Sequence, residues 1–179
     1  MVTTASISTE PLTTAPTRRA PSSTALTTCL WFDDEGEEAA AFYTSVFKDS
    51  RIGRISRFTQ GGRGRPGEAM TVEFELNGQQ FVALNGGPQI YFSEAISFQV
   101  FCADQDEIDY YWNSLSEDGK EGRCGWLQDR YGMSWQVIPR QLVEMISDGE
   151  PERAKRVAEA MMKMEKLDIA ALQKAYEGG

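Results

Sequence analysis

The sequence contains no histidine among its 179 residues. That absence excludes a Ser-His-Asp or Cys-His relay, an HExxH zinc site and a histidine-bearing facial triad. Any general base must therefore be a tuned carboxylate, Lys, Tyr or Cys. Cysteine is scarce as well: Cys29, Cys102 and Cys124 form no CxxC pair and cannot supply a Cys₄ zinc site. A sparse, odd count fits a reducing cytoplasm, with Cys29 and Cys102 expected as small core residues inside apolar runs. No apolar stretch approaches the roughly 18–20 residues that span a bilayer, so a soluble protein is expected. Basic residues are also short, 18 Lys+Arg against 27 Asp+Glu, a net charge of −9 and a pI near 4.6. Such a balance argues against nucleic-acid binding, which needs a basic footprint.

What is present divides into three parts. Residues 1–26 belong to a Thr/Ser/Pro-rich tail; within 1–28, nine Thr, four Ser and three Pro stand beside only Glu10, Arg18 and Arg19. This composition cannot bury enough apolar surface to offset ordering entropy, so at least the first 24 residues are expected to be disordered. A transit peptide is the sharper alternative, although no amphipathic Arg-bearing helix supports it. Removing 1–28 leaves 16 basic and 26 acidic residues, a net of −10, so the acidity belongs to the folded body. Residues 27–139 read as the principal domain and 140–179 as a helical extension.

From Thr27 a short strand, TTCLWF, leads to a helix over Glu37–Phe47 that Asp33 or Asp34 can cap. Ser50–Phe58 reads as a strand and GGRGRPG (61–67) as a loop without a following helix, hence not a phosphate loop. Met70–Leu76 alternates strictly, with Val72, Phe74 and Leu76 on one face and Thr71, Glu73 and Glu75 on the other. Asn77-Gly78 signals a hairpin into Gln79–Leu84. The order is β-α-β-β-β.

The pattern then recurs. Glu94–Cys102 reads as a strand, Asp104 as an N-cap with Glu107 completing a capping box, and Glu107–Leu115 as a helix. A strand near Gly125–Gln128 turns at Arg130-Tyr131-Gly132 into Met133–Pro139. Sliding the chain by 69 residues lays Thr28 on Ser97, Phe32 on Phe101 and Phe42-Tyr43 on Tyr111-Trp112. Beyond Arg140 the pattern is helical, with Val157, Met161 and Met164 on one stripe of Glu152–Lys166 and Asp168 capping a last helix.

The strings LWFDDEGEEAAAFYTSVF (30–47), MTVEFELNGQQFVALNGGP (70–88), EAISFQVFC (94–102), CGWLQDRYGMSWQVIP (124–139) and KLDIAAL (166–172) resemble the vicinal-oxygen-chelate superfamily. Within it they resemble the branch called PhnB-like or 3-demethylubiquinone-9 3-methyltransferase domain proteins. The resemblance implies an α+β fold of two βαβββ modules around a cavity, C-terminal helices, and a homodimer. Metal-dependent relatives place ligands on the first and last strands of each module. By position those places fall near Thr28, near Val82, at Ser97 and at Gln136. None is a strong ligand for Fe, Zn or Mn, so the resemblance implies a lost metal site and no cofactor.

Strand alternation adds a view of the cavity from the residues themselves. If Ser97 faces inward, so do Gln99 and Phe101; if Gln136 faces inward, so do Ser134 and Ile138. Thr28, Ser97, Gln99, Phe101, Ser134 and Gln136 are thus the expected ligand-binding set, with Leu30 and Phe32 among the apolar walls. Such a cavity suits a small organic molecule. Glu73 and Glu75 are the candidate general bases if burial raises their pKa, and an ordinary solvated strand face otherwise. Arg51, Arg54, Arg57, Arg63 and Arg65 form the basic cluster, either an anion contact or exposed charges. The functional expectation is small-molecule binding without a His-ligated metal. The alternative is a metal-independent lyase, isomerase or cyclase; a methyltransferase of the usual doubly wound kind does not fit this pattern.

Overall fold

The computed structural model describes residues 26–179; the expectation of a disordered tail over the first 24 residues lies outside them. The strands form two four-stranded mixed sheets, one from each module. In the first, β1 (Thr28–Phe32), β4 (Gln79–Asn85), β3 (Ala69–Leu76) and β2 (Arg51–Arg57) lie in the order β1-β4-β3-β2. In the second, β5 (Ser97–Cys102), β8 (Ser134–Pro139), β7 (Trp126–Gln128) and β6 (Lys120–Glu121) lie in the order β5-β8-β7-β6. The first and last strands of each module pair in parallel and the others antiparallel. The repeat visible in the sequence is therefore a repeat of topology. The two-residue β6 escaped the sequence pattern because so short a strand has no alternation to display.

Helix α1 (Gly36–Val46) serves the first module and α2 (Gln105–Ser116) the second. Asp104 caps α2 as expected: its carboxylate accepts from Glu107 N at 2.9 Å, and Glu107 reaches back to Ala103 N at 2.8 Å. The start of α1 differs. Neither Asp33 nor Asp34 caps it; the Asn85 side-chain oxygen accepts from Gly36 N at 2.8 Å, while its amide donates to Asp34 O and Ala69 O. A residue of the last strand of the module thus closes its first βα junction, a long-range cap that no local pattern can announce. The neighbouring Gly86 is required for a different reason. A Cβ there would stand 2.2 Å from the Trp31 ring, whose Nε1 donates to Gly87 O at 2.8 Å.

One apolar core joins both modules. Leu30, Phe32, Val72, Phe74, Phe81 and Ala83 meet Ala39 and Tyr43 of α1 and Phe47 just beyond it, and the same cluster continues through Ile108, Trp112 and Leu115 of α2 to Trp135 and Val137. An edge-to-face pair and a stacked pair carry it across the module boundary, Phe81 with Phe98 at 5.3 Å and Phe47 on Trp135 at 5.3 Å. A polar clasp sits inside it. Asp129, 3% exposed, accepts from Tyr43 Oη and Trp135 Nε1 at 2.8 Å each, and from Tyr131 N and Met133 N.

The extension comprises α3 (Arg140–Ile146), α4 (Pro151–Met161) and α5 (Ile169–Glu177), so α4 ends five residues before the expected Lys166. Asp168 caps α5, accepting from Ala171 N at 2.8 Å. These helices build a second small core from Leu142, Met145, Val157, Leu167 and Leu172. They are tied to the main body through Cys124 N to Met164 O and Gly125 N to Glu165 O, both 2.8 Å. No helix among the described residues is long and apolar enough to cross a membrane.

Candidate functional site

Each sheet buries one face in the shared core and leaves the other free of the helices α1 and α2. On the second sheet, register places two cross-strand rows on that outer face: Gln128–Ser134–Ser97, and beside it Trp126–Gln136–Gln99. Gln136 ties the rows together. Its Nε2 donates to Ser97 Oγ at 2.7 Å and its Oε1 accepts from Gln99 Nε2 at 3.2 Å. Phe101, 44% exposed, extends the same face beside Ile138. Ser97, Gln99, Phe101, Ser134 and Gln136 therefore share one surface, as their alternation implied. Ser134 is fully buried, and its hydroxyl has no hydrogen-bond partner among the described residues.

Thr28 does not join them. Leu30 and Phe32 are buried in the core at 5% and 3% exposure, and alternation puts Thr28 on the core side with them. The outer face of β1 carries Cys29 and Trp31 instead, Cys29 beside Val82 and Trp31 beside Leu84. The expectation of Leu30 and Phe32 as cavity walls is corrected accordingly, and so is that of Cys29 as a core residue, since its side chain is exposed. The slide of 69 residues was one residue out of register on β1. Cys102 is the cysteine that sits in the core, its thiol pushed up to about 12 by burial and then by Glu107 and Asp104.

Glu73 and Glu75 lie on the outer face of the first sheet, Glu73 next to Val82 and Glu75 next to Gln80. Both are engaged by arginine from β2. Arg54 Nε donates to Glu73 at 3.1 Å, and Arg51 pairs with Glu75, which also accepts from Gln80 Nε2. No hydrogen bond or ion pair among the described residues connects them to the Ser97–Gln136 set. The rest of the basic cluster is likewise occupied internally: Arg57 pairs with Glu37 at 2.9 Å, Arg63 donates to Gly86 O at 2.6 Å, and Arg65 lies 3.8 Å from Glu68. Arg57 and Arg63 border a cavity of about 640 Å³ at the α1 end of the first sheet, where they meet Asp33, Asp34 and Glu37 and mix both signs of charge.

Two smaller cavities flank Trp126 on the second sheet. One, about 320 Å³, is bounded by Trp126, Gln136 and Ile138 below and by Leu142, Val143, Ile146 and Met161 of the extension. The other, about 140 Å³, is bounded by Trp126, Gln128, Ser134, Lys120 and Glu94. The sequence pattern placed 140–179 as a helical extension and Trp126 on a strand near Gly125–Gln128, with nothing to bring the two together.

Two βαβββ modules of identical strand order, their helices sharing one core, make this a vicinal-oxygen-chelate fold. Within that class the chain belongs to the family described as 3-demethylubiquinone-9 3-methyltransferase, whose model matches residues 24–138. A PhnB protein from Bacillus cereus, assigned by name to the same family, is similar at 36% identity and a TM-score of 0.60. The match covers 65% of this chain and 99% of that one. A protein from Pseudomonas aeruginosa shares the fold at 17% identity and a TM-score of 0.55, covering 65% and 98% of the two chains. The fosfomycin resistance protein FosX from Mesorhizobium loti does so at 16% identity and 0.51, covering 70% and 98%. No curated protein matches. At the places that the resemblance marks for metal ligands, in the register the strands adopt, stand a thiol (Cys29), an isopropyl group (Val82), a hydroxyl (Ser97) and an amide (Gln136). That donor set does not fit a transition-metal site, and no group of three or more His, Cys, Asp or Glu among the described residues is placed to hold a metal ion.

Proposed function

We propose that this protein binds a small neutral organic molecule on the outer face of its second sheet, without a His-ligated metal. The observation that supports this is Gln136, which lines the cavity below α3 together with Trp126 and is held there by hydrogen bonds with Ser97 and Gln99. Apolar walls with a few fixed polar groups are the usual makings of a small-molecule site. The methyl transfer in the family's description is not carried over. An adenosylmethionine site of the usual kind needs a glycine-rich first turn in a parallel sheet, and the β1–α1 junction here reads Asp33-Asp34-Glu35.

Native mass spectrometry of freshly purified protein, with metal analysis of the same sample, tests the reading. We expect a released organic ligand or a ligand-dependent thermal shift, lost in Gln136→Ala, and metal well below one ion per chain. Stoichiometric metal surviving dialysis overturns it. The rival reading is turnover with Glu73 or Glu75 as base. It asks a carboxylate already engaged by arginine to take a proton, and it would be favoured if Glu73→Gln abolished turnover of a bound compound while leaving its affinity intact. A homodimer in a reducing cytoplasm completes the proposal, with a second copy able to cover the open face of Cys29, Trp31, Val82 and Leu84; analytical ultracentrifugation at micromolar concentration is the check.

A further inference from the structure

We propose that the protein has a second ligand site, at the α1 end of the first sheet, for a small zwitterion of dipeptide size. Asp33 and Asp34 take its ammonium group and Arg63 its carboxylate. The site is independent of any binding on the second sheet.

The cavity there, about 640 Å³, is lined by charges of both signs, and half of them are already answered within the protein. Arg57 donates to both carboxylate oxygens of Glu37 and to Gly67 O. Glu68 accepts from Arg65 N at 3.1 Å and lies 3.8 Å from the Arg65 guanidinium. Asp33, Asp34 and Arg63 remain. No hydrogen bond or ion pair among the described residues engages either aspartate carboxylate, and Arg63 donates only to a backbone carbonyl, Gly86 O at 2.6 Å. A neutral acceptor leaves the guanidinium charge uncompensated and most of its donors unused.

One peptide unit brings these unanswered groups together. The Gly86 carbonyl takes Arg63, and the N–H of the same unit, on Gly87, donates to Asp33 O at 3.2 Å. The guanidinium and the Asp33 backbone therefore flank a single peptide plane. Asn85 fixes the next residue, its side-chain amide donating to Asp34 O at 2.9 Å, so the main chain of both aspartates is held while their carboxylates stay free. The wall that carries Arg63 is fixed as well. Phe58 N donates to Glu68 O and Gly67 N to Phe58 O, closing the loop between β2 and β3. A Cβ at Gly64 would stand 2.4 Å from the Phe58 ring, so the loop lies directly on that ring beside Arg63.

A plain anion entering this cavity meets two free carboxylates, and a plain cation meets a free guanidinium. A molecule that carries both charges answers both. Phe58 and Pro88 add apolar wall for a side chain between the charged ends. A cavity of this volume falls in the range of small-molecule sites and exceeds what a single amino acid fills; an extended dipeptide is about 7 Å long.

Alanylphenylalanine, its N-acetyl form and its C-terminal amide, titrated calorimetrically into the full chain at neutral pH, test the two ends separately, since the free dipeptide carries both charges there. We expect the free dipeptide to bind and each capped form to bind at least about tenfold more weakly. Asp33→Asn combined with Asp34→Asn should erase the penalty of acetylation, and Arg63→Gln that of amidation. Arg63→Gln also frees the loop from Gly86 O, so the paired aspartate substitutions carry the test independently: an acetylation penalty unchanged in them overturns the site. Tighter binding of the amide than of the free dipeptide means plain attraction of a cation to an acidic chain and overturns it too, as does equal affinity for the three probes or no binding at about 10 mM. Gln136→Ala should leave dipeptide affinity unchanged. Loss of affinity there moves the dipeptide to the second sheet and overturns this site while leaving the reading of that sheet standing.

Discussion

Replacing Asp129 by alanine should destabilise the protein severely, because one carboxylate answers four donors from three parts of the chain. Tyr43 Oη and Trp135 Nε1 approach it at 2.8 Å, Tyr131 N at 2.9 Å and Met133 N at 3.0 Å. Tyr43, Met133 and Trp135 are all buried, so three of these donors have no water to turn to. At about 1–3 kcal/mol for each buried donor left unpaired, offset in part by local relaxation, the loss comes to about 3–5 kcal/mol. Tyr43→Phe removes one donor and leaves the carboxylate three, which should cost about 1–2 kcal/mol. The pair should be strongly non-additive, since Asp129→Ala orphans no phenol once Tyr43→Phe has removed it. A coupling of about 1–2 kcal/mol is expected from urea unfolding of the four species. A loss below about 1 kcal/mol for Asp129→Ala, or additivity within about 0.5 kcal/mol, would refute the clasp.

The same carboxyl gives the clasp a pH signature. Burial raises its pKa above the ordinary value of 3.8, more than its hydrogen bonds from Trp135, Tyr43, Met133 and Tyr131 lower it. A group whose folded pKa is raised holds its proton more tightly in the native state. Its contribution is thus fully present below 3.8 and declines as pH rises through the raised folded value. The stability advantage of the parent over Asp129→Asn should accordingly be largest at acid pH, shrink with rising pH and then level off. An advantage that grows with pH would reverse the sign and sink the assignment of burial as the dominant cause.

Other consequences can be checked singly. Cys29, exposed, should react with a thiol reagent in the native protein, whereas Cys102, buried with its thiol pushed up to about 12, should react only after unfolding; equal rates would contradict the core placement. Asp168→Ala removes the α5 cap and should cost about 0.5–2 kcal/mol in urea unfolding, chiefly by loosening the extension. Gly125→Ala must place a Cβ 2.6 Å from Val137 O at φ +81, so it should cost at least about 1–2 kcal/mol; a neutral result would show that the β6–β7 connection moves freely.

The modules were legible because each carries strong local signals. The Asn77-Gly78 turn, the alternation of Met70–Leu76 and the Asp104–Glu107 capping box are decided within a few residues, and each forms as read. What escaped was decided at a distance. The true cap of α1 comes from Asn85, and Asp129 looks like an ordinary turn residue until Tyr43 arrives from 86 positions away. No window of sequence contains both ends of such a bond.

The outer face that carries the candidate residues was legible on one sheet and not on the other, for a reason that lies in β1. Ser97, Gln99, Gln136 and Ser134 are polar residues alternating with Phe98, Val100, Trp135 and Val137, so the parity of β5 and β8 announces itself. In TCLWF every residue after Thr28 is apolar, and composition cannot tell which parity faces the helix. The parallel ladder resolves it: Phe81 and Ala83 are core residues of β4, their neighbours Val82 and Leu84 are not, and β1 pairs Cys29 with Val82 and Trp31 with Leu84. A one-residue slip would reverse every side chain of the strand and bury the wrong set. Single cysteines placed at positions 28 and 30 in a Cys29→Ser background decide the register by labelling. Cys29 should remain the reactive position of the three; faster reaction at 28 and 30 would restore the alternative face and return Thr28 to the site.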